Sequence, residues 1–148
     1  MIPAEIKIEQ MTSADLPAVV EIESLSFTSP WSRRMFEADI KKASYWVAKE
    51  VDRVIGYIGL QTVLDEGHIP TLAVHPKFRG QGIGYRLVGM VVEAGKEKKL
   101  ARIFLEVRES NLAARKLYAG FNFKEISRRK EYYHNPEEDA LMLALTLQ

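Results

Sequence analysis

The stretch FRGQGIGYRLVGMVVEAG, residues 78–95, sets glycines at 80, 82 and 84 directly ahead of a run whose apolar positions recur at helical spacing. Glycine costs about 0.5–1 kcal/mol relative to alanine in a regular element, so this loop asks for unusual torsions or the close approach of a ligand. A phosphate suits it, because the unsatisfied N–H groups and the positive end of a following helix attract anions. Upstream, IPTLAV (69–74) reads as a strand that His75 and Pro76 end. Downstream, residues 85–98 form a helix with Leu87, Val88, Val91 and Val92 on one side, and ARIFLEV (101–107) is a strongly apolar strand.

Elsewhere, AEIKIEQ (4–10) alternates as a short strand. Thr12 and Asp15 have capping-box spacing ahead of an amphipathic helix with Leu16, Val19, Val20 and Leu25 inward. The segment FTSPWS (27–32) breaks it, and Ser32 can cap a second helix over 33–43. SYWVAKE (44–50) and VIGYIGLQTVL (54–64) read as a hairpin, Ser110 can cap a helix over 111–121, and strands near 123–134 and 139–147 finish the chain. The order predicts an α/β fold: a central mixed, mostly antiparallel sheet of about six to seven strands with about four helices packed on it.

A chain of 148 residues, 47% hydrophobic and 28% charged, fits one compact domain over residues 1–148 and leaves no room for a second. A formal net charge of +1 gives no basic field that would make nucleic acid the main partner. The absence of cysteine removes thiolate metal sites and cysteine nucleophiles. No basic n-region precedes an apolar h-region, and no apolar run approaches a membrane span, so no membrane partner and a cytoplasmic location are expected.

Three readings of the glycine loop compete. A P-loop needs lysine and a hydroxyl after its last glycine, whereas Tyr85, Arg86 and Leu87 follow Gly84. A dinucleotide fingerprint is met by Gly82 and Gly84, with Glu106 as a ribose acid, but Leu87 fills the third small position. The third reading is a pyrophosphate cradle of backbone amides and a helix N-terminus. LAVHPKFRGQGIG (72–84) resembles the acetyl-coenzyme A signature of the GNAT acyltransferases, R/Q-x-x-G-x-G/A, with Arg79, Gly82 and Gly84 at the marked places. LEVRESNLAARKLY (105–118) closely resembles the corresponding segment of the RimI-type N-terminal acetyltransferases of that superfamily. FTSPWS (27–32) and RRKEYYH (128–134) are similar to two further stretches of the group.

The resemblance implies an enzyme that moves acetyl from acetyl-coenzyme A to the N-terminal alanine of a small-subunit ribosomal protein. It implies Glu106 as general base and Tyr118 as general acid. The coenzyme would be held by the backbone of Leu72, Ala73 and Val74, by the loop of Arg79, Gly80, Gln81, Gly82, Ile83, Gly84 and Tyr85, and by Asn111. Phe27, Pro30 and Trp31, with Tyr132 and Tyr133, would meet the substrate. The family ends the helix after Tyr118 with a glycine where this chain has Asn122, the next best residue for a left-handed cap. Acceptors within the same fold also include lysine and small amines, and a nucleotide-binding module without transferase activity is the reading from another class.

The chemistry suits these residue types. An N-terminal amine, pKa about 7.7–8.0, is roughly a quarter neutral near pH 7.4, whereas a lysine amine at about 10.4 is neutral about one time in a thousand. A carboxylate such as Glu106 can take the proton, and a phenol of pKa about 10 can protonate a departing thiolate. Glu106 also reads as a solvated strand-end acid, and Tyr118 as a ring packed in the core. Without cysteine or a paired serine, direct attack in a ternary complex replaces an acyl-enzyme. His68, His75 and His134 lack metal spacing and read as loop or surface residues, so no metal is expected. Tyr132 and Tyr133 alternate across a strand, so one packs inward. Trp31 reads either as a substrate wall or as a core plug, and Arg128, Arg129 and Lys130 as a solvated basic run.

Overall fold

The computed structural model describes residues 5–147, so Ala4, the predicted start of the first strand, lies outside them. In chain order the elements are β1 (Ile6–Gln10), α1 (Leu16–Ser26), α2 (Arg33–Asp39), β2 (Ser44–Glu50), β3 (Arg53–Val63), β4 (Glu66–His68), β5 (Leu72–Val74), α3 (Ile83–Glu97), β6 (Arg102–Arg108), α4 (Leu112–Ala119), β7 (Lys124–Tyr133) and β8 (Glu138–Thr146). Two compact units divide the chain. One runs up to Leu60 and resumes over Thr71–Val91; the other holds Gln61–Pro70 and the residues from Val92 on.

In the first unit β1, β2 and the early part of β3 pair antiparallel, and β5 adds to β3 with Gly56 opposite Val74 and Ile58 opposite Leu72. Thr12 and Asp15 form the expected capping box, the Thr12 N–H donating to Asp15 Oδ2 at 2.9 Å. The buried stripe of α1 is Leu16, Val19, Ile22 and Glu23, and Leu25, expected inward, is 52% exposed. At 3.6 residues per turn Leu25 lies on the side of the helix opposite Leu16, which accounts for the correction. Phe36 of α2 is fully buried, its ring against Tyr45 and Tyr57 at centroid distances of 6.1 and 5.8 Å.

In the second unit the end of β3 pairs antiparallel with β4, β4 runs parallel to β6, and β8 lies antiparallel between β6 and β7. Side chains along β6 alternate: Ile103, Leu105 and Val107 are buried, while Phe104, Glu106 and Arg108 share the other face. The described residues hold four helices and eight strands, and every pairing except β4 with β6 is antiparallel. The added strand is β4, and the strand predicted over 69–74 shrinks to β5. Pro70 has no N–H to give a ladder and separates the two short strands. α3 starts at Ile83 rather than residue 85, and α2 and α4 end earlier than predicted, at Asp39 and Ala119.

Candidate functional site

The coenzyme residues expected from the sequence lie, apart from Asn111, in the first unit. Among the described residues β5 has one strand partner, β3, along one edge. Beyond it His75 Nδ1 accepts the Lys77 N–H at 3.1 Å and starts a short turn over Pro76–Phe78. Arg79 folds back: its Nε donates to the Val74 carbonyl at 3.0 Å and its Nη2 to Ser26 Oγ at 3.2 Å, bracing the loop. Gly80 and Gly82 have φ of +77° and +80°, and a Cβ added at either would meet nothing within 4 Å. Torsion rather than space calls for glycine at both.

α3 then begins, its first intrahelical bond running from the Arg86 N–H to the Gly82 carbonyl at 3.1 Å. The amides of Ile83, Gly84 and Tyr85 precede that bond and add to the positive end of a 15-residue helix. Gln81 and Tyr85 are exposed, and Ile83 anchors the turn in the core. Left-handed glycines, open space beside them and the positive end of a 15-residue helix fit a pyrophosphate group.

The loop before α2 also belongs to the first unit. Phe27 and Pro30 are exposed, and Trp31 is half-buried, its ring 5.3 Å from Phe36. Trp31 thus does part of a core plug's work. The Trp31 N–H donates to Glu23 Oε2 at 2.9 Å, and Ser32 caps α2 as expected by accepting the Met35 N–H at 3.3 Å.

The second unit holds the acid–base candidates. Glu106, on β6, bonds His68 Nε2 through Oε2 at 2.7 Å, while His68 Nδ1 faces Gln61 Oε1 at 2.9 Å. The imidazole also stacks on Phe104, with centroids 4.8 Å apart. Burial pushes the Glu106 carboxyl up, but the His68 hydrogen bond and the electrostatics of His68 and Arg129 outweigh it, and the group is held below its ordinary range. Gln61, His68 and Phe104 line a cavity of about 280 Å³ with Val63, Leu64, Asp65 and Glu66. His68 is therefore no loop histidine, and neither it nor Gln61 was anticipated. Glu106 lies 38 residues from His68, and only the parallel pairing of β4 with β6 brings the two together.

Tyr118, on α4, is 4% exposed, with Phe123 edge-on at 5.3 Å. Burial, with a smaller contribution from Tyr133, raises its phenol above the ordinary value and keeps it protonated at neutral pH. Asn111 rather than Ser110 caps α4, its Oδ1 accepting the Ala114 N–H at 3.1 Å, so that oxygen serves the helix; Ser110 Oγ donates instead to Glu138 at 2.9 Å. Tyr133 is the inward member of the tyrosine pair. It lies half-buried under the Arg108 guanidinium at 4.5 Å, and burial followed by the Glu106 charge pushes its phenol up to about 12. Tyr132 is 43% exposed, its ring 5.0 Å from that of Tyr133. Among the described residues no cluster of three or more His, Asp or Glu could hold a metal, and no helix is long and apolar enough to cross a membrane.

Residues 16–123 match the acetyltransferase (GNAT) family. A [ribosomal protein bS18]-alanine N-acetyltransferase of Haemophilus influenzae is 36% identical over 145 residues, covering 95% of this chain and 98% of the relative. One of Haemophilus ducreyi is 34% identical over 145 residues, covering 95% and 99%. The crystal structure of the ribosomal-protein-S18-alanine N-acetyltransferase from Escherichia coli superposes with a TM-score of 0.91 at 30% identity, covering 97% of this chain and 95% of that one. A match over most of the chain, joined to a glycine loop of the required torsions, shows that this protein belongs to the GNAT acetyltransferase family.

Proposed function

We propose that the protein is a single-domain, cytoplasmic enzyme that acetylates the α-amine of a protein N-terminus, with the N-terminal alanine of ribosomal protein bS18 as the first substrate to try. The observation that carries this reading is the match of residues 16–123 to the acetyltransferase family, with Glu106, bonded to His68 Nε2 at 2.7 Å, and the buried Tyr118 phenol as the base and acid it calls for. The names of the Haemophilus and Escherichia coli relatives support the acceptor.

Acetyl-coenzyme A would supply the activated acyl group; the amides of Gly80, Gly82, Ile83, Gly84 and Tyr85 would hold its pyrophosphate and the backbone of Leu72, Ala73 and Val74 its pantetheine arm. Gln81 and Asn111 are further candidate coenzyme contacts, and Arg79 keeps the loop in shape. Glu106 takes a proton from the attacking amine directly or through a water, and the His68 Nε2–H, donating to Oε2, orients the carboxylate for that step. Tyr118 returns a proton to the leaving thiolate. The acceptor's first residues rest against Phe27, Pro30 and Trp31, with Tyr132 and Tyr133 as hydrogen-bond partners. Because an α-amine is already partly neutral at physiological pH, a carboxylate held at low pKa is base enough for it and a poor match for lysine.

The reading is tested by thiol release with three acceptors in parallel: a peptide with a free N-terminal alanine, the same peptide N-blocked and carrying a lysine, and a polyamine. Release with the first alone, with the added acetyl mapped to the α-amine by mass spectrometry, is the expected result. Release with only the second or third overturns the acceptor and leaves the family membership standing.

A further inference from the structure

Glu23 occupies a core position of α1, only 2% exposed, on the stripe that Leu16, Val19 and Ile22 define. A leucine there would continue the pattern at no electrostatic cost, whereas a carboxylate stripped of water is destabilising unless hydrogen bonds replace the lost solvent. They do. The Tyr57 hydroxyl and Thr71 Oγ1 both donate to Oε1, the latter at 2.7 Å, and the Trp31 N–H donates to Oε2 at 2.9 Å. Each oxygen addresses a different part of the unit. Oε1 is held by β3 and by the residue directly ahead of β5; Oε2 holds the loop between α1 and α2.

Core packing does not account for the acid, because no apolar side chain can accept from a backbone amide and two hydroxyls together. We propose that Glu23 is a positioning residue for the acceptor: through the Trp31 amide it fixes the loop bearing Phe27 and Pro30 against Tyr57 of β3 and Thr71 ahead of β5. This rests on the reading of that loop as the acceptor wall. Trp31 has a second tether, its ring on Phe36, which sets the side chain, while the carboxylate holds the Trp31 backbone amide itself.

The deciding experiment compares Glu23→Leu and Glu23→Gln with the wild type. Leucine keeps the packing and strands all three donors. Glutamine restores an acceptor for the Trp31 amide while its NH2 donates to hydroxyls that turn round to accept. The Leu variant is expected to raise the KM of an N-terminal-alanine peptide about tenfold or more, as the loss of a charged hydrogen bond predicts. It should leave the KM of acetyl-coenzyme A within about twofold, and the Gln variant should recover most of the loss. Unchanged peptide KM, or equal changes in both KM values, overturns the proposal.

A second readout needs no variant. In the wild-type protein the Trp31 amide should exchange with deuterated water far more slowly than that of Ser29, and equal rates overturn the proposal even if Glu23→Leu fails to fold. If wild type acetylates no N-terminal peptide, the acceptor reading fails while the exchange rates still decide whether Glu23 holds the loop.

Discussion

His68, with Arg129 adding to it, holds the Glu106 pKa low, and the dependence on His68 can be measured. With His68 replaced by leucine the carboxyl keeps its burial, which favours the neutral acid, and loses the hydrogen bond that offsets it, so its pKa rises. A base must be ionised to act, so a higher pKa leaves it protonated over a wider range. The acid limb of the kcat/KM profile of His68→Leu should move to higher pH, with rates converging on wild type in alkaline buffer; an unmoved limb would show that His68 does not tune the base. Glu106→Gln and Tyr118→Phe should each lower kcat by about 10²–10⁴ while coenzyme A binding by calorimetry stays at the wild-type value. Both proposed roles follow from motif resemblance, and neither environment does. His68 carries no local signature, since its partners Gln61 and Glu106 come from two other strands. Glu23 left a trace in the sequence, a carboxylate seven residues after Leu16 on the apolar stripe, and only its bonds to Trp31 and Thr71 show its purpose.

Elements were legible where their ends carry side-chain chemistry. The Thr12–Asp15 box and the Ser32 cap stand where the sequence puts them, and the hairpin between β2 and β3 turns at Val51 with φ of +58°. β4 was not, because Glu66, Gly67 and His68 are too few to show alternation and owe their strand state to β3 and β6. The end of α4 answers the question that Asn122 raised. Asn122 has φ of +71°, its N–H reaching the Ala119 carbonyl at 2.9 Å, and the Phe123 N–H closes on Tyr118 at 3.1 Å. A left-handed cap therefore survives without glycine. Asn122→Ala should cost about 1 kcal/mol, read as a lower Tm, while Asn122→Gly should be neutral or mildly stabilising. In the proposed coenzyme loop Gly82→Ala meets no steric obstacle, so its penalty is torsional: the Tm of the ligand-free protein should fall by the equivalent of about 1 kcal/mol, as at Asn122, and coenzyme A affinity should fall as well. A lower Tm with unchanged affinity would place the demand for glycine in folding rather than in binding.

For the molecule as a whole, binding is a stability measurement. A ligand at about 100 times its Kd adds about 2.7 kcal/mol to the folded state. Acetyl-coenzyme A should accordingly raise the Tm in a concentration-dependent way and NAD should not; the reverse would revive the dinucleotide reading. Phe36, fully buried among Trp31, Tyr45 and Tyr57, sets the scale of the core, and Phe36→Ala should cost about 3–5 kcal/mol, enough to threaten folding at physiological temperature. With a net charge of only +1, long-range repulsion does little to keep copies apart.

That places the duty of dispersal on β7, the last strand in its sheet order and exposed over nearly its whole length. A ten-residue outer strand is a template on which another chain can crystallise into a shared sheet. Two register breaks, at Glu125/Ser127 and Arg129/Tyr133, and the positive φ of Glu131 twist that template out of use, and Lys124 and Lys130 tax any chain that approaches it with a desolvated ammonium. The irregular, heavily charged hairpin is in this sense the molecule's guard against fibrous self-assembly at the concentrations of a crowded cell.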